Sequence, residues 1–401
     1  MHGCSLLAFH VGMTYGSALF KKPPYDIERD FRPMSCLTRA CASTGTSIYV
    51  SNHQDGDISG YVMAADTGRL IPTARAPAGK LVMSMASGPG GDHLYAVVRT
   101  EPYSVYAYRT DSETGILRCI GTSPLPASMV YIAVDRTGRW LLTAGYGSNT
   151  LCVQAIGRDG LVSSTPSQFV ESGGVKPHAI RFDSSNRFVY VPHLGTDEVR
   201  IYVFDAGAGT LSPAVPATVK VTEGTGPRHF VLSRGDRFLY MLGQLTGVVT
   251  VFDRDPTTGG LAQIQAIESV APGSGLLPGK PRPPTGAPDA LPSETTSIWC
   301  ADIQITPDGR FVYTTERAKS TITILAADTE TGLLRHAGHV PTEKQPRGIA
   351  IDPGGRFLVA SGEMSSCLSV YAIDSVTGAL TRTQRVPAGA GANWVEFVET
   401  R

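Results

Sequence analysis

Arg187-Phe-Val-Tyr-Val191, Arg237-Phe-Leu-Tyr-Met241 and Arg310-Phe-Val-Tyr-Thr314 are three statements of one phrase. Four further versions stand at Thr46-Ser-Ile-Tyr-Val50, Asp92-His-Leu-Tyr-Ala96, Arg139-Trp-Leu-Leu-Thr143 and Arg356-Phe-Leu-Val-Ala360. Most are followed by a second β-rich run, such as Val199-Arg-Ile-Tyr-Val-Phe204 or Thr321-Ile-Thr-Ile-Leu325, and by a turn such as Thr331-Gly-Leu-Leu334 or Thr377-Gly-Ala-Leu380. Measured at the fourth residue of each phrase, the repeats are 46 to 50 residues apart, with one step of 73, which is the span of a four-stranded propeller blade. A blade is covered by neighbours on both faces, so its middle strands must be apolar throughout, as these runs are. The expected fold is all-β, a seven-bladed β-propeller of four-stranded antiparallel blades.

Asn393-Trp-Val-Glu-Phe-Val398 reads as an innermost strand with nothing after it to complete a blade. It should join the first blade and close the ring. Because single blades cannot bury their own faces, residues 34–401 are expected to form one domain. Residues 1–33 read as an extension outside the ring. The long step holds a Pro/Gly-rich insertion at about 271–293, read as a surface loop rather than a lid.

With 35 basic and 35 acidic residues the formal charge is zero, so no long-range field recruits nucleic acid or an anionic membrane. A small molecule is the expected partner. The seven cysteines are odd in number and lack Cys-x-x-Cys spacing, which points to free thiols and a cytoplasmic location. No segment is apolar enough to span a bilayer, and no spacing suits a metal or a cofactor.

Function in a propeller is sought where the innermost strands begin, at one mouth of the central channel. The lead-in sequences Lys176-Pro-His178, Gly226-Pro-Arg-His229, Trp299-Cys-Ala-Asp302, Gln345-Pro-Arg-Gly348 and Gly391-Ala-Asn-Trp394 bring imidazole, guanidinium, carboxylate and amide groups there. A second ring lies four residues past each repeat marker and includes His53, Arg99, Tyr146, Gln244, Arg317 and Glu363. Arg228, Arg317, Arg347 and Arg99 around one channel would repel one another and so imply an anionic ligand, carboxylate or phosphate. His178 is the favoured proton carrier and His229 its support, with Asp302 orienting a histidine or arginine. Asn393 joins the substrate-binding set.

At these residues the chain resembles the seven-bladed propeller lactonase family, which includes bacterial 6-phosphogluconolactonase of the propeller type and the fungal carboxy-cis,cis-muconate lactonising enzyme. The resemblance runs from about residue 45 onward and is carried by Gly224-Thr-Gly-Pro-Arg-His229, Ala301-Asp-Ile-Gln-Ile-Thr-Pro-Asp-Gly-Arg-Phe311, Pro341-Thr-Glu-Lys-Gln-Pro-Arg-Gly348 and Trp394-Val-Glu-Phe-Val398. It implies hydrolysis of a small anionic sugar-acid lactone. The alternatives are a cycloisomerase acting on a carboxymuconate-type diacid, or a non-catalytic binding propeller. It also implies a site of His178, Arg228, Arg317, Arg347 and a glutamate. Family members read Asn-Glu-Leu where this chain has Gly243-Gln-Leu245, so an amide, Gln244, stands at the acid's position. Either Glu363 supplies the carboxylate from across the channel, or His178 works alone with Gln244 holding substrate, or catalysis has been lost or redirected.

Overall fold

The computed structural model describes residues 45–282 and 296–399. They form seven sheets of four antiparallel strands, set as blades around a ring. Among the described residues the one helical element is a short turn at Arg234–Asp236. The expected extension at 1–33, and residues 283–293 of the insertion, lie outside the described residues.

Each phrase is the second strand of its blade, for example Phe188–His193 in blade 4 and Phe311–Glu316 in blade 6, and every residue of these two strands is buried. The outermost strands are mostly exposed, as in Leu334–Pro341 where only Leu334 is buried, because they lie at the rim of the ring with one edge unpaired. The innermost strand of blade 1 is Ala392–Val398, paired antiparallel with Thr46–Asn52 so that Ser47 faces Val398 and Ser51 faces Trp394. The ring is therefore closed by the strand the sequence singled out.

The phrase and the Thr-Gly turn recur together because they meet across every blade boundary. A Cβ placed on Gly68, Gly209, Gly259, Gly332 or Gly378 would fall 2.2 to 2.5 Å from the ring of Phe357, Trp140, Phe188, Phe238 or Phe311 of the preceding blade. His93 stands against Gly160 in the same way, and Ser47 packs on Gly115, which completes seven joints. These seven glycines have φ between 65° and 83°, so each must also adopt a left-handed backbone. Two residues on from the side chain that meets the glycine, the phrase tyrosine donates its hydroxyl to the same glycine's carbonyl: Tyr49 to Gly115 at 3.1 Å, Tyr95 to Gly160 at 3.0 Å, Tyr190 to Gly259 at 2.9 Å and Tyr313 to Gly378 at 2.9 Å. The arginine that opens the phrase covers the outer face of its own aromatic, with Arg187 4.7 Å from the Phe188 centroid and Arg237 4.8 Å from Phe238.

Two substitutions at one joint separate its parts. Tyr313→Phe leaves the buried Gly378 carbonyl without its donor and should cost about 1–2 kcal/mol. Gly378→Ala adds a left-handed penalty and a clash with Phe311, and should cost roughly 3 kcal/mol. Urea unfolding midpoints check both, and an unchanged Gly378→Ala midpoint would contradict the joint.

Candidate active site at the channel mouth

In an antiparallel blade the start of the first strand and the turn between the second and third fall at the same end. Backbone hydrogen bonds tie the two together here: Gln244 N–H to Gly226 O at 2.8 Å, Arg317 to Trp299 at 3.1 Å, Glu363 to Gln345 at 3.0 Å and Arg99 to Leu81 at 3.2 Å. This register explains the second ring of side chains at a fixed offset from the phrase. Each one is pinned beside a lead-in.

His178, Arg228, His229, Arg347 and Asn393 line one small cavity, together with Met83, Ser84, Val130 and Trp394. Arg228 Nε donates to Gln244 Oε1 at 3.0 Å, and Arg317 Nη2 donates to the same oxygen at 3.2 Å, so Gln244 joins two guanidiniums from neighbouring blades. Arg228 also donates to the Ala301 carbonyl, and Arg317 to those of Trp299 and Cys300, both at 3.1 Å. An amide oxygen accepts from both arginines without cancelling their charge, as a glutamate would. Glu363 lies with a different arginine: its two oxygens accept from Arg347 Nη1 at 2.8 Å and Gln345 Nε2 at 2.9 Å.

Asp302 is bonded to His229 (Nδ1 to Oδ1, 2.9 Å) rather than to His178, and its other oxygen accepts from the Ile349 amide at 3.0 Å. Arg228 Nη1 lies 3.1 Å from Nε2 and 3.2 Å from Nδ1 of His229, against its ring. His229 is thus held on both sides. His178 is held by its ring faces instead, edge-on to Tyr146 at 5.5 Å and to His229 at 5.3 Å, and its Nδ1 is buried with no hydrogen-bond partner. Asn393 spends its amide nitrogen on the Ser51, Val82 and Gly391 carbonyls, while its Oδ1 is buried and unpartnered. Arg99 reaches Ser128, its Nε 3.0 Å from the hydroxyl, and does not line the cavity.

Below the cavity three rings meet edge to face: Tyr131 with His229 at 5.2 Å, Tyr131 with Trp394 at 5.3 Å, and His229 with Trp394 at 6.0 Å. Beyond this waist the channel widens into a second space lined by Arg181, Gln304 and Glu396. Burial pushes His178 well below its ordinary pKa, and Arg228, His229 and Arg347 push the same way. His229 is lowered by burial and by Arg228, Arg347, Arg181 and Arg317, while burial raises the Asp302 carboxyl. Burial alone would raise Glu363 too, but the arginines at 347 and 317 outweigh it and hold that carboxyl below its usual value. At neutral pH the mouth therefore presents neutral imidazoles, an ionised carboxylate and several guanidiniums. Among the described residues no group of three or more His, Cys, Asp or Glu side chains could hold a metal ion.

Sequence reasoning passed over Met83, Ser84, Tyr131 and Arg282. A usable signal existed for two of them, because counting eleven back from the fourth phrase residue gives Ser84, Tyr131, His229 and Asp302 in four successive or nearby repeats. Arg282 lies in the Pro/Gly-rich insertion, where no repeat offset applies.

The depressed histidines make stability depend on pH. The unfolded chain takes up protons near its ordinary imidazole pKa of about 6.5, whereas folded His178 does not, so the stabilising contribution is complete above that value and is lost as pH falls below it. Unfolding midpoints from about pH 7 to 5 should fall more steeply in the unmodified protein than in His178→Gln, by about 1.4 kcal/mol per pH unit. Parallel profiles would show that His178 is not held neutral.

The family model described as "Lactonase, 7-bladed beta-propeller" matches residues 41–397. A 6-phosphogluconolactonase of Serratia proteamaculans is 34% identical over 304 residues, 75% of this chain and 83% of that protein. The 6-phosphogluconolactonase of Sodalis glossinidius is 36% identical over 264 residues, 66% of this chain and 72% of that protein. Among solved structures, the periplasmic gluconolactonase of Pseudomonas aeruginosa has a TM-score of 0.76 at 22% identity, covering 89% of this chain and all of the other, which speaks to the fold alone.

Proposed function

This chain belongs to the seven-bladed β-propeller lactonase family, and from that premise we propose that it hydrolyses a small anionic sugar-acid lactone of the 6-phosphogluconolactone type at the channel mouth. The observation that carries this reading is a buried, neutral His178 with an unpartnered ring nitrogen, in a cavity it shares with Arg228 and Arg347. In the proposed reaction His178 takes a proton from water as the oxygen attacks the lactone carbonyl. Arg228 and Arg347 stabilise the oxyanion that forms. When the intermediate collapses, the bond to the ring oxygen breaks, His178 returns its proton to that oxygen, and the product leaves as a hydroxy acid.

The other residues position these three. Glu363, ionised, fixes Arg347 and is a poor proton donor. The Asp302–His229 pair holds Arg228 from one side and Gln244 from the other, with Arg317 on the same Gln244 oxygen adding positive charge beside the carbonyl end of the substrate. The substrate partner is a phosphate- or carboxylate-bearing metabolite, and the balanced net charge supports neither nucleic acid nor membrane as a partner. No helix among the described residues is long and apolar enough to cross a membrane. A cytoplasmic setting is supported by the free thiols, Cys119 and Cys152 among them.

Proton release from 6-phosphoglucono-δ-lactone tests the proposal. His178→Gln should lower kcat by about 10²- to 10⁴-fold with the fold intact. Ring closure of a carboxymuconate-type diacid in the absence of lactone hydrolysis would overturn it in favour of a cycloisomerase. Gln244→Glu places a negative charge between Arg228 and Arg317, and should raise KM for the phosphorylated lactone about tenfold. An unchanged KM would show that this arginine pair does not face the substrate.

A further inference from the structure

The insertion does not simply loop away from blade 6. Its described arm is stitched to the mouth: Leu277 N–H donates to Thr296 O at 2.7 Å, Ile298 N–H to Leu277 O at 2.8 Å, and Gly279 N–H to Leu245 O at 2.7 Å. The arm then reaches Arg282. The Arg282 guanidinium carbon lies 3.6 Å from the Trp299 ring centroid, and that of Arg317 lies 3.5 Å from the same centroid. Two guanidiniums so close to one centroid fit only on opposite faces of the indole. The Arg282 carbonyl in turn accepts from the Tyr146 hydroxyl at 3.0 Å.

Tyr146 follows the second strand of blade 3, and Trp299 leads into blade 6. Three blades apart in a ring of seven means opposite sides of the axis, so one residue that touches both bridges the mouth. Tyr146 is also the ring packed edge-on against His178, and Lys176 Nζ stands 5.7 Å from its centroid. Cations therefore occupy two levels. Arg228 and Arg347 line the cavity and Arg317 is buried beside Gln244, while Arg282 and Lys176 stand around Tyr146 and Trp299.

We propose that Arg282 is a specificity-determining residue that grips the phosphate of a phosphorylated sugar lactone, while the inner arginines meet its carbonyl end. The inference rests on the lactonase reading above. A 6-phosphorylated lactone carries its reactive carbonyl and its phosphate at opposite ends, matching two levels of positive charge. Stacking on Trp299 uses the flat face of the guanidinium and fixes its orientation, and the N–H groups that pair with phosphate lie along its edge. The buried Trp299 Nε1, which has no partner, is a further donor at the same place.

The test compares kcat/KM for 6-phosphoglucono-δ-lactone and glucono-δ-lactone in the full chain and in Arg282→Ala. The ratio between the two substrates should fall at least tenfold in the variant, chiefly through KM for the phosphorylated one. An unchanged ratio, whether both substrates slow together or neither does, would overturn the assignment and leave Arg282 a structural strap. Should the unmodified chain hydrolyse neither lactone, the functional reading fails while Arg282 remains testable by titration with inorganic phosphate. Affinity at least fivefold weaker in Arg282→Ala supports the phosphate grip, and equal affinity overturns it.

Discussion

The contact on which everything else depends is an aromatic ring of one blade resting where the next blade's turn glycine has no side chain. Made at six of the seven joints, with Ser47 on Gly115 at the other, it sets the spacing and angle of the blades, and thereby which lead-ins converge on the axis. The phrase supplies three functions within four residues. Its aromatic fills the glycine's place, its tyrosine hydroxyl satisfies that glycine's carbonyl, and its arginine shields the ring from solvent. Blade 3 departs from the pattern with Leu142 in place of tyrosine, yet keeps Trp140 against Gly209, so steric fit is the part retained at every joint where an aromatic is present.

The site depends on a second constraint, the burial of its titratable groups. Tyr131, His229 and Trp394 pack edge to face beside the cavity, and burial and the arginines push His178 in the same direction. The same two influences explain the division of labour between the two carboxylates. Glu363, alongside Arg347, stays ionised despite its burial. Asp302, paired with His229, is raised by its burial. Replacing the acid between Arg228 and Arg317 by Gln244 leaves the pair more positive than a glutamate would, which favours an anionic ligand with charge to spare.

The fold was legible because its signal is repetitive. Phrase, turn and final strand each declared themselves by offset, and the position of Gln244, Arg317 and Glu363 beside the lead-ins followed from the same periodicity. What periodicity does not carry is pairing. That Asp302 would serve His229 and not His178, that Glu363 would bind Arg347, and that Arg99 would turn toward Ser128 are outcomes of side-chain reach within a crowded mouth, which offset along the chain does not encode. Arg282 was invisible for a different reason: a Pro/Gly-rich stretch has no repeat partner to align it, and its reach across to Tyr146 appears only in three dimensions.

The strand Ala392–Val398 does more than seal the ring, since it brings Asn393 and Trp394 to the cavity wall. Because this strand is hydrogen-bonded into a sheet only by its ladder to Thr46–Asn52, the pairing that closes the ring also sets the pocket wall. A slip of one residue in that register would turn both side chains to the opposite face of the strand, so the seam of the ring and the shape of the pocket stand or fall together.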